Sequence, residues 1–398
     1  MDTTLTLQQR NDVLLSMRQL LADCKTELLE ANKSDVENYT GNDLAMYDRL
    51  KVDELKINGM ILTLNQLIDD EDPVGKELYH FNHENGLKIT NKTAPFGTVL
   101  IIYESRPDVT VEAAGIAFKS GNKILLKGGK ESLKSNLKIV NLWHKALVEN
   151  NVSIKWIEYL NYNRNETQAF LEKPTQKVDL IVPRGGEKLI AFVKQNATCP
   201  VIVSGRGNNF VYIDTEADLE IALKVVINAK ISKISACNAV DKVVINSNLS
   251  NNSNFIKKLI DELTALNVEV LGDDYLSTFE NVSQIDNSEV WYQEFLDYKI
   301  VIGSVDSVEE AIAKINKYGG GHSAVIITKN NATANVFMNS VDAAAVYQNA
   351  STRFTDGGQF GLGGELAIST DKLHHRGPMG LQHLITNKWY IYGDGQIR

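Results

Sequence analysis

The sequence predicts an α/β protein built on largely parallel sheets, and three observations carry the prediction. Short runs rich in β-branched residues alternate with helical patterns from Pro95 onward. A second unit of the same alternation follows Cys237. Ahead of both, up to about residue 70, apolar residues recur at helical spacing. With 398 residues, 43% hydrophobic and 23% charged, the chain has the apolar content for two or three ordinary domain cores.

Leu14, Met17, Leu21, Cys24 and Leu28 fall on one helical face, which predicts the first helix and assigns Cys24 to packing. The helix-like region ends in the acidic, proline-bearing stretch 69–73. Residues 77–93 alternate weakly and carry Asn85-Gly86, a hairpin turn signal. Such a hairpin would leave the main body and could pair with another subunit. His80 and His83 within it have no further metal ligands nearby and read as surface histidines. From Pro95 the order is strand 98–103, helix 109–119, strand 123–126, helix 131–149, strand 157–160, strand 178–182 and helix 186–194. Short strands at 200–203 and 210–213 and a helix at 216–231 complete that unit. After Cys237 come strand 242–245, helix 254–266, strand 298–302, helix 308–317, strand 324–327, helix 332–339 and strand 344–347. A glycine-rich stretch, 357–364, precedes a strand-like edge segment at 388–392.

Composition excludes several functions. A formal charge of −9 argues against a nucleic-acid or anionic-membrane partner. Three scattered cysteines, Cys24, Cys199 and Cys237, are too few for a disulfide framework or a zinc ribbon, and a reducing cytosol fits. The opening MDTTLTLQQR has no apolar h-region, so no secretory signal is expected. Apolar runs such as 99–103 are too short to span a bilayer. The patterns G-x-G-x-x-G and Walker A are absent.

The candidate chemistry centres on NAKISKISACNAVDKVVIN, residues 228–246. Cys237 lies there among small and polar neighbours with Lys230 and Lys233 upstream, a setting that favours a reachable thiolate. The alternative is a small buried hydrophobe. Two strand-to-helix junctions carry glycines and cations: Lys127-Gly128-Gly129-Lys130-Glu131-Ser132 and Pro183-Arg184-Gly185-Gly186. Glycine lets backbone N–H groups approach a phosphate there, and together the two junctions suggest a nucleotide crevice. A plain tight turn is the alternative for each. Arg106, after the strand at 98–103, could clamp an anion or instead pair with Glu104 or Asp108. A second polar loop carries Ser351 and Arg353.

YESRPDVT (103–110), SGNKILLKGGKES (120–132), VPRGG (182–186), ACNAVD (236–241), NASTRFTDGGQFGLGGELAIST (349–370), HRGPMGL and the closing GDGQIR together resemble the γ-glutamyl phosphate reductases of the aldehyde dehydrogenase superfamily. The resemblance covers nearly the whole chain. It implies an aldehyde-dehydrogenase-like α/β fold: a Rossmann-like NADP(H)-binding domain at 1–231 with a projecting hairpin at about 77–94, a catalytic domain at 232–364, and a segment at 365–398 that returns to the cofactor domain. The hairpin and C-terminal strand would form a small oligomerisation element, giving a homo-oligomer, dimer or tetramer.

The implied activity is NADPH-dependent reduction of L-glutamyl 5-phosphate to glutamate 5-semialdehyde and phosphate in proline biosynthesis, in the cytoplasm, with functional coupling to glutamate 5-kinase. The resemblance places the nucleophile at Cys237; the tetrahedral species formed there carry an oxyanion that the Cys237 backbone N–H, with Asn238 or Arg106, could stabilise. Lys127 would contact the cofactor ribose, Lys130 or Ser132 a 2′-phosphate, and Pro183, Arg184, Gly185 and Gly186 the pyrophosphate and nicotinamide. Glu294 falls where the nicotinamide ribose is usually held. Arg106, Arg353, Ser351 and Asp108 would read the substrate's anions and ammonium. No metal is implied. The chain departs from many members at Asp108, at Ser235 and at Asn209-Phe210, where the family often has Asn, Pro and a Cys-His pair.

An acyl phosphate can be displaced by a thiolate and the thioester reduced by hydride, so no base for water is needed. No Glu occurs in residues 201–205, where hydrolysing relatives typically place one. The alternatives are a hydrolytic aldehyde dehydrogenase and a non-catalytic nucleotide-binding subunit.

Overall fold

The computed structural model describes residues 4–250 and 253–398; the first three residues of the segment read for a leader lie outside it. Two compact units emerge. One runs through Val203 and is completed by Gly361–Ala367 and Met379–Arg398; the other comprises Ser204–Phe360 and Ile368–Pro378. The sequence boundary at 231 moves to Val203, because the strand and helix before Cys237 pair and pack with the later sheet. Long-range strand pairing of this kind leaves no local signal.

The first unit opens with α1 (Leu7–Asp23), α2 (Lys25–Glu37), α3 (Leu44–Leu50) and α4 (Glu54–Asp69). Thr6 and Gln9 form a reciprocal capping box that starts α1. Leu14, Met17, Leu21 and Leu28 are fully buried and Cys24 packs partly buried against the same core, as their spacing predicts. The parallel sheet orders β5 (Ile157–Tyr159), β4 (Lys123–Lys127), β3 (Thr98–Tyr103) and β6 (Leu180–Arg184). Side chains alternate across β3: Val99 and Ile101 face the core under α1, α4, α5 (Val109–Lys119) and α6 (Leu133–Glu149), while Leu100 and Ile102 face α7 (Arg164–Glu172) and α8 (Glu187–Asn196). Burial on both faces explains the unbroken apolar run. The run at 200–203 is no strand; it contributes one bridge, Ile181 to Val201.

The hairpin of β1 (Glu77–Asn82) and β2 (Lys88–Pro95) forms around Gly86, whose φ of +95° suits only glycine well. Its tip is closed by hydrogen bonds from His83 N to Leu87 O and from Gly86 N to His83 O. β16 (Ile385–Tyr392) adds to β2 antiparallel, giving a three-stranded sheet. Leu78, Tyr79, Phe81, Trp389, Ile391 and Tyr392 are exposed on it.

The second unit is a seven-stranded parallel sheet in the order β10 (Val282–Gln284), β9 (Glu269–Gly272), β11 (Lys299–Val305), β8 (Val240–Asn246), β7 (Asn209–Ile213), β12 (Ser323–Ile327), β13 (Ala345–Gln348). The edge strand β10 and its neighbour β9 carry no clear signal in the sequence. On one face pack α9 (Leu219–Ile231) and α11 (Ser253–Ala265), with the short α10 (Ser247–Ser250) between them in sequence. On the other pack α12 (Val308–Tyr318) and α13 (Asn331–Ser340). Short strands β14 (Ala367–Ser369) and β15 (Gly377–Met379) make a separate two-stranded ladder. No helix among the described residues is long and apolar enough to cross a membrane.

All seven residues of β8 are buried, including Asp241 and Lys242. Lys230, in the last turn of α9, meets Asp241 at 2.8 Å, with both side chains almost wholly out of water. Asp241→Ala leaves the Lys230 charge buried and alone, so the urea midpoint should fall by an amount equivalent to about 3–5 kcal/mol. The double variant Lys230→Met, Asp241→Leu should recover most of that loss; an unchanged midpoint for the single variant contradicts the assignment.

Candidate active site

Cys237 lies on the turn between α9 and β8 and is half-buried. Successive bonds from Ala236 N to Lys233 O and from Ala239 N to Ala236 O wind the turn tightly. Gly207 packs so close that a Cβ there would overlap the Cys237 carbonyl. Asn238 follows, buried, its Nδ2 donating to Thr355 O at 2.9 Å and to Arg353 O at 3.3 Å. Thr352 returns a bond from its Oγ1 to Asn238 O at 2.6 Å. The side-chain amide of Asn238 thus ties the Cys237 turn to the 3-10 turn Thr352–Phe354, and its Oδ1 is buried without a hydrogen-bond partner.

Ser351 caps that 3-10 turn, its Oγ accepting from Arg353 N. Arg353 Nε donates to Ser232 Oγ at 2.9 Å, and its Nη1 is buried with no partner. Burial lowers the Arg353 pKa from its ordinary value, while the fields of Cys237 and Asp356 oppose the shift. Cys237, Asn238, Ser351 and Arg353, read separately in the sequence, are brought together here.

Glu294 is held on both sides by β8. Phe295 N donates to Asp241 Oδ2 at 2.9 Å, and Lys242 Nζ donates to Gln293 O at 2.7 Å and lies 4.0 Å from the centroid of the Phe295 ring. Burial, aided by the Lys230 charge, pushes Lys242 down to about 7 against the pull of Asp241 and Glu294. A cavity of about 570 Å³ along the edge strands, bordered by Gln284, Gln293 and Lys299, does not include the thiol among its walls.

A buried polar chain, missed in the sequence, runs behind the Cys237 turn. His322 Nδ1 and Ser323 Oγ are 2.8 Å apart, Ser323 Oγ and Thr355 Oγ1 2.7 Å, and Tyr347 OH and Thr355 Oγ1 2.7 Å. Burial alone pushes His322 down to about 4, so it stays neutral near pH 7.

The remaining candidates lie in the first unit. Arg106 Nη2 meets Asp108 Oδ2 at 3.2 Å, the pairing left open in the sequence. Asp108 Oδ1 is buried without a hydrogen-bond partner. One helical turn on, Glu112 is pushed up to about 7, first by burial and then by the Asp108 charge, with Arg106 and Arg184 pulling down and Glu365 pushing up. Glu112 and Glu365 were not singled out in the sequence; the only signal was the spacing of Asp108 and Glu112 on α5.

At the end of β4, Lys127 is half-buried, its Nζ donating to Gly128 O at 2.7 Å, and burial lowers its pKa. Lys130 is exposed. Ser132 is buried, its hydroxyl bonding within the turn to Gly129 O and accepting from Asn136 Nδ2. Of the two residues named for a 2′-phosphate, only Lys130 is presented to solvent. Pro183 and Arg184 end β6; Gly185 packs on the Glu104 carboxylate, and Gly186 N donates to Glu104 Oε2 at 3.0 Å, so this helix start already faces an anion.

These residues fit a nicotinamide dinucleotide. Lys127 and Lys130 supply cations beside glycine backbone at one junction.

The aldehyde dehydrogenase family profile matches residues 3–297. The gamma-glutamyl phosphate reductase of Clostridium botulinum (strain Eklund 17B / Type B) is 43% identical over 395 residues, covering 99% of this chain and 95% of that one. The crystal structure of gamma-glutamyl phosphate reductase from Thermotoga maritima superposes with a TM-score of 0.93 at 39% identity, covering 99% of this chain and 95% of that one. An acetylating aldehyde dehydrogenase from Geobacillus thermoglucosidasius, at TM-score 0.69 and 16% identity over 99% of this chain and 93% of that one, shares the fold.

The His322 shift makes a prediction with a definite sign. The unfolded chain binds a proton near pH 6.5 that the folded chain refuses until about pH 4. Stability is therefore full above 6.5 and declines as pH falls from about 6.5 to 4. His322→Gln should reduce that decline in a series of thermal melts; an undiminished acid decline contradicts the burial argument.

Proposed function

The chain belongs to the gamma-glutamyl phosphate reductases of the aldehyde dehydrogenase family, and from that premise we propose that it reduces L-glutamyl 5-phosphate to glutamate 5-semialdehyde, with NADPH as donor and Cys237 as nucleophile. Membership makes it an oxidoreductase of proline biosynthesis. The observation that carries the finer reading is the Cys237 turn, where a partly exposed cysteine is followed by Asn238, whose side-chain amide ties the turn to Arg353.

The Cys237 thiolate attacks the acyl carbon, the carbon–oxygen bond to phosphate breaks, and phosphate leaves with the electron pair. The product on the protein is a glutamyl thioester. NADPH, when bound, supplies the hydride that reduces the thioester carbonyl. Oxyanion stabilisation falls to backbone N–H groups of the Cys237 turn, since the Asn238 side-chain amide is engaged with Thr355 O and Arg353 O. Cys237 then leaves as the thiolate and the semialdehyde departs. Arg353 holds a substrate anion; Arg106 and Asp108 offer a second cation and a carboxylate for the substrate's charges. Lys127 and Lys130 hold the dinucleotide's phosphate and ribose, with the turn at Arg184 and Gly185 bordering it and Glu294 taking the second ribose. Residues 201–205 contain no acidic group, which supports transfer to hydride over hydrolysis. The exposed apolar residues on the β1–β2–β16 sheet support a homo-oligomer assembled there. Glutamate 5-kinase, which makes the labile acyl phosphate, is the functional partner on this reading.

Cys237→Ala should abolish NADPH oxidation with freshly prepared glutamyl phosphate while leaving NADPH affinity unchanged; more than a trace of turnover contradicts the nucleophile. Arg353→Ala should raise KM for glutamyl phosphate by roughly tenfold or more, as expected for loss of a charged hydrogen bond. In reverse, semialdehyde oxidation by NADP⁺ should require added phosphate or arsenate, and oxidation without either would establish hydrolysis instead.

A further inference from the structure

Asn209 opens β7 and is wholly buried. Its Nδ2 lies 2.7 Å from Cys237 O, 2.7 Å from Ala239 O and 2.8 Å from Gly207 O, so two protons are shared among three carbonyls. Its Oδ1 accepts from Ser323 N at 3.0 Å, in the strand that carries the buried His322–Ser323–Thr355 chain. One carboxamide therefore gathers two carbonyls of the nucleophile turn, one of the segment packed against it, and one N–H of β12. Its neighbour Asn208 points elsewhere, as successive strand residues do: Nδ2 donates to Trp291 O at 2.7 Å and Tyr318 O at 2.8 Å.

The peptide joining Cys237 to Asn238 is trans and planar, so its C=O and N–H point in opposite directions. With the Cys237 carbonyl drawn to Asn209, the Asn238 N–H points the opposite way, away from Asn209. Removal of the carboxamide leaves three carbonyls in competition for other donors, and the simplest relief is rotation of this peptide. Rotation would turn the Asn238 N–H away and carry the Cys237 Cα with it.

We propose that Asn209 is a positioning residue for the nucleophile: by holding the Cys237 and Ala239 carbonyls it fixes the orientation of the Cys237–Asn238 peptide and the presentation of the Cys237 sulfur. The role rests on the thioester reading above. It adds a specific claim, that the buried carboxamide governs reactivity at the sulfur without touching substrate or cofactor.

The test compares Asn209→Ala, the isosteric Asn209→Asp and Asn209→Ser with the matched control Asn208→Ala, which also removes a buried carboxamide from the same stretch. Misplacement of a reacting group by about 1 Å costs on the order of 100-fold. The Ala and Asp variants should lose about that much in kcat, with KM for glutamyl phosphate and the NADPH dissociation constant changed less than about threefold. Asn209→Ser, which keeps a hydroxyl donor for one carbonyl, should recover part of the loss. Asn208→Ala should lower Tm yet leave kcat within about threefold.

The second readout needs neither substrate nor nucleotide: the rate of iodoacetamide alkylation at Cys237, followed by peptide mass spectrometry. It should change at least about fivefold in the Asn209 variants and stay unchanged in Asn208→Ala. Should the Ala variant not fold, Asp and Ser carry the comparison. Equal effects of Asn208 and Asn209 substitutions on kcat and alkylation, at equal loss of Tm, overturn the proposal. An altered alkylation rate in Asn209 variants, alongside full turnover of Cys237→Ala, would retain Asn209 as the residue presenting the sulfur and reject the thioester reading instead.

Discussion

The Cys237 turn is closed at its base by one buried ion pair, Lys230 with Asp241, and the site in the second unit is arranged around that closure. Lys230 lies in the last turn of α9, Asp241 is the second residue of β8, and Cys237 lies on the short connection between the two elements. An ion pair so dry is not an economical source of stability, since apolar replacements often do as well. Its consequence here is geometric. Asp241 spends its other oxygen on Phe295 N, and its neighbour Lys242 reaches Gln293 O, so the pair that closes the nucleophile turn also sets the segment carrying Glu294. Short polar bonds to the other side, through Asn209, Asn238 and Thr352, hold the turn from β7 and from the 3-10 turn at Thr352–Phe354.

Charge in the two units is handled differently. In the second unit the buried histidine is neutral and the polar chain around it contains hydroxyls and amides, while Lys242, beside Asp241, is pushed down to about 7 by burial. In the first unit, Arg106, Asp108, Glu112, Arg184 and Glu365 share one field, and Glu112 sits near its midpoint at pH 7.

Much of the fold could be read from local pattern. The face of Leu14, Met17, Leu21 and Leu28, the doubly buried strand β3 and the hairpin at Gly86 each follow from periodicity or turn chemistry acting within a few residues. What could not be read depended on distant partners. The run at 200–203 has strand composition and only one bridge, and β7 joins β8 and β12 across a boundary with no local mark. In the site, Cys237 and the loop of Ser351 and Arg353 stood out by residue type and motif. Ser132 was legible as a polar residue at a junction, but its burial behind Asn136 was not. Asn209, His322 and Glu112 act through burial and through partners far along the chain, and a linear pattern of residue types does not encode either.

The claim on which the chemistry rests is that the substrate's acyl group passes through the sulfur of Cys237. The most direct measurement is intact-protein and peptide mass spectrometry after acid quench of the enzyme mixed with glutamyl phosphate in the absence of nucleotide. The account predicts one glutamyl adduct per chain, hydroxylamine-labile and confined to the peptide bearing Cys237, which disappears when NADPH is added before the quench. No adduct, or an adduct on another residue that NADPH discharges, would contradict it.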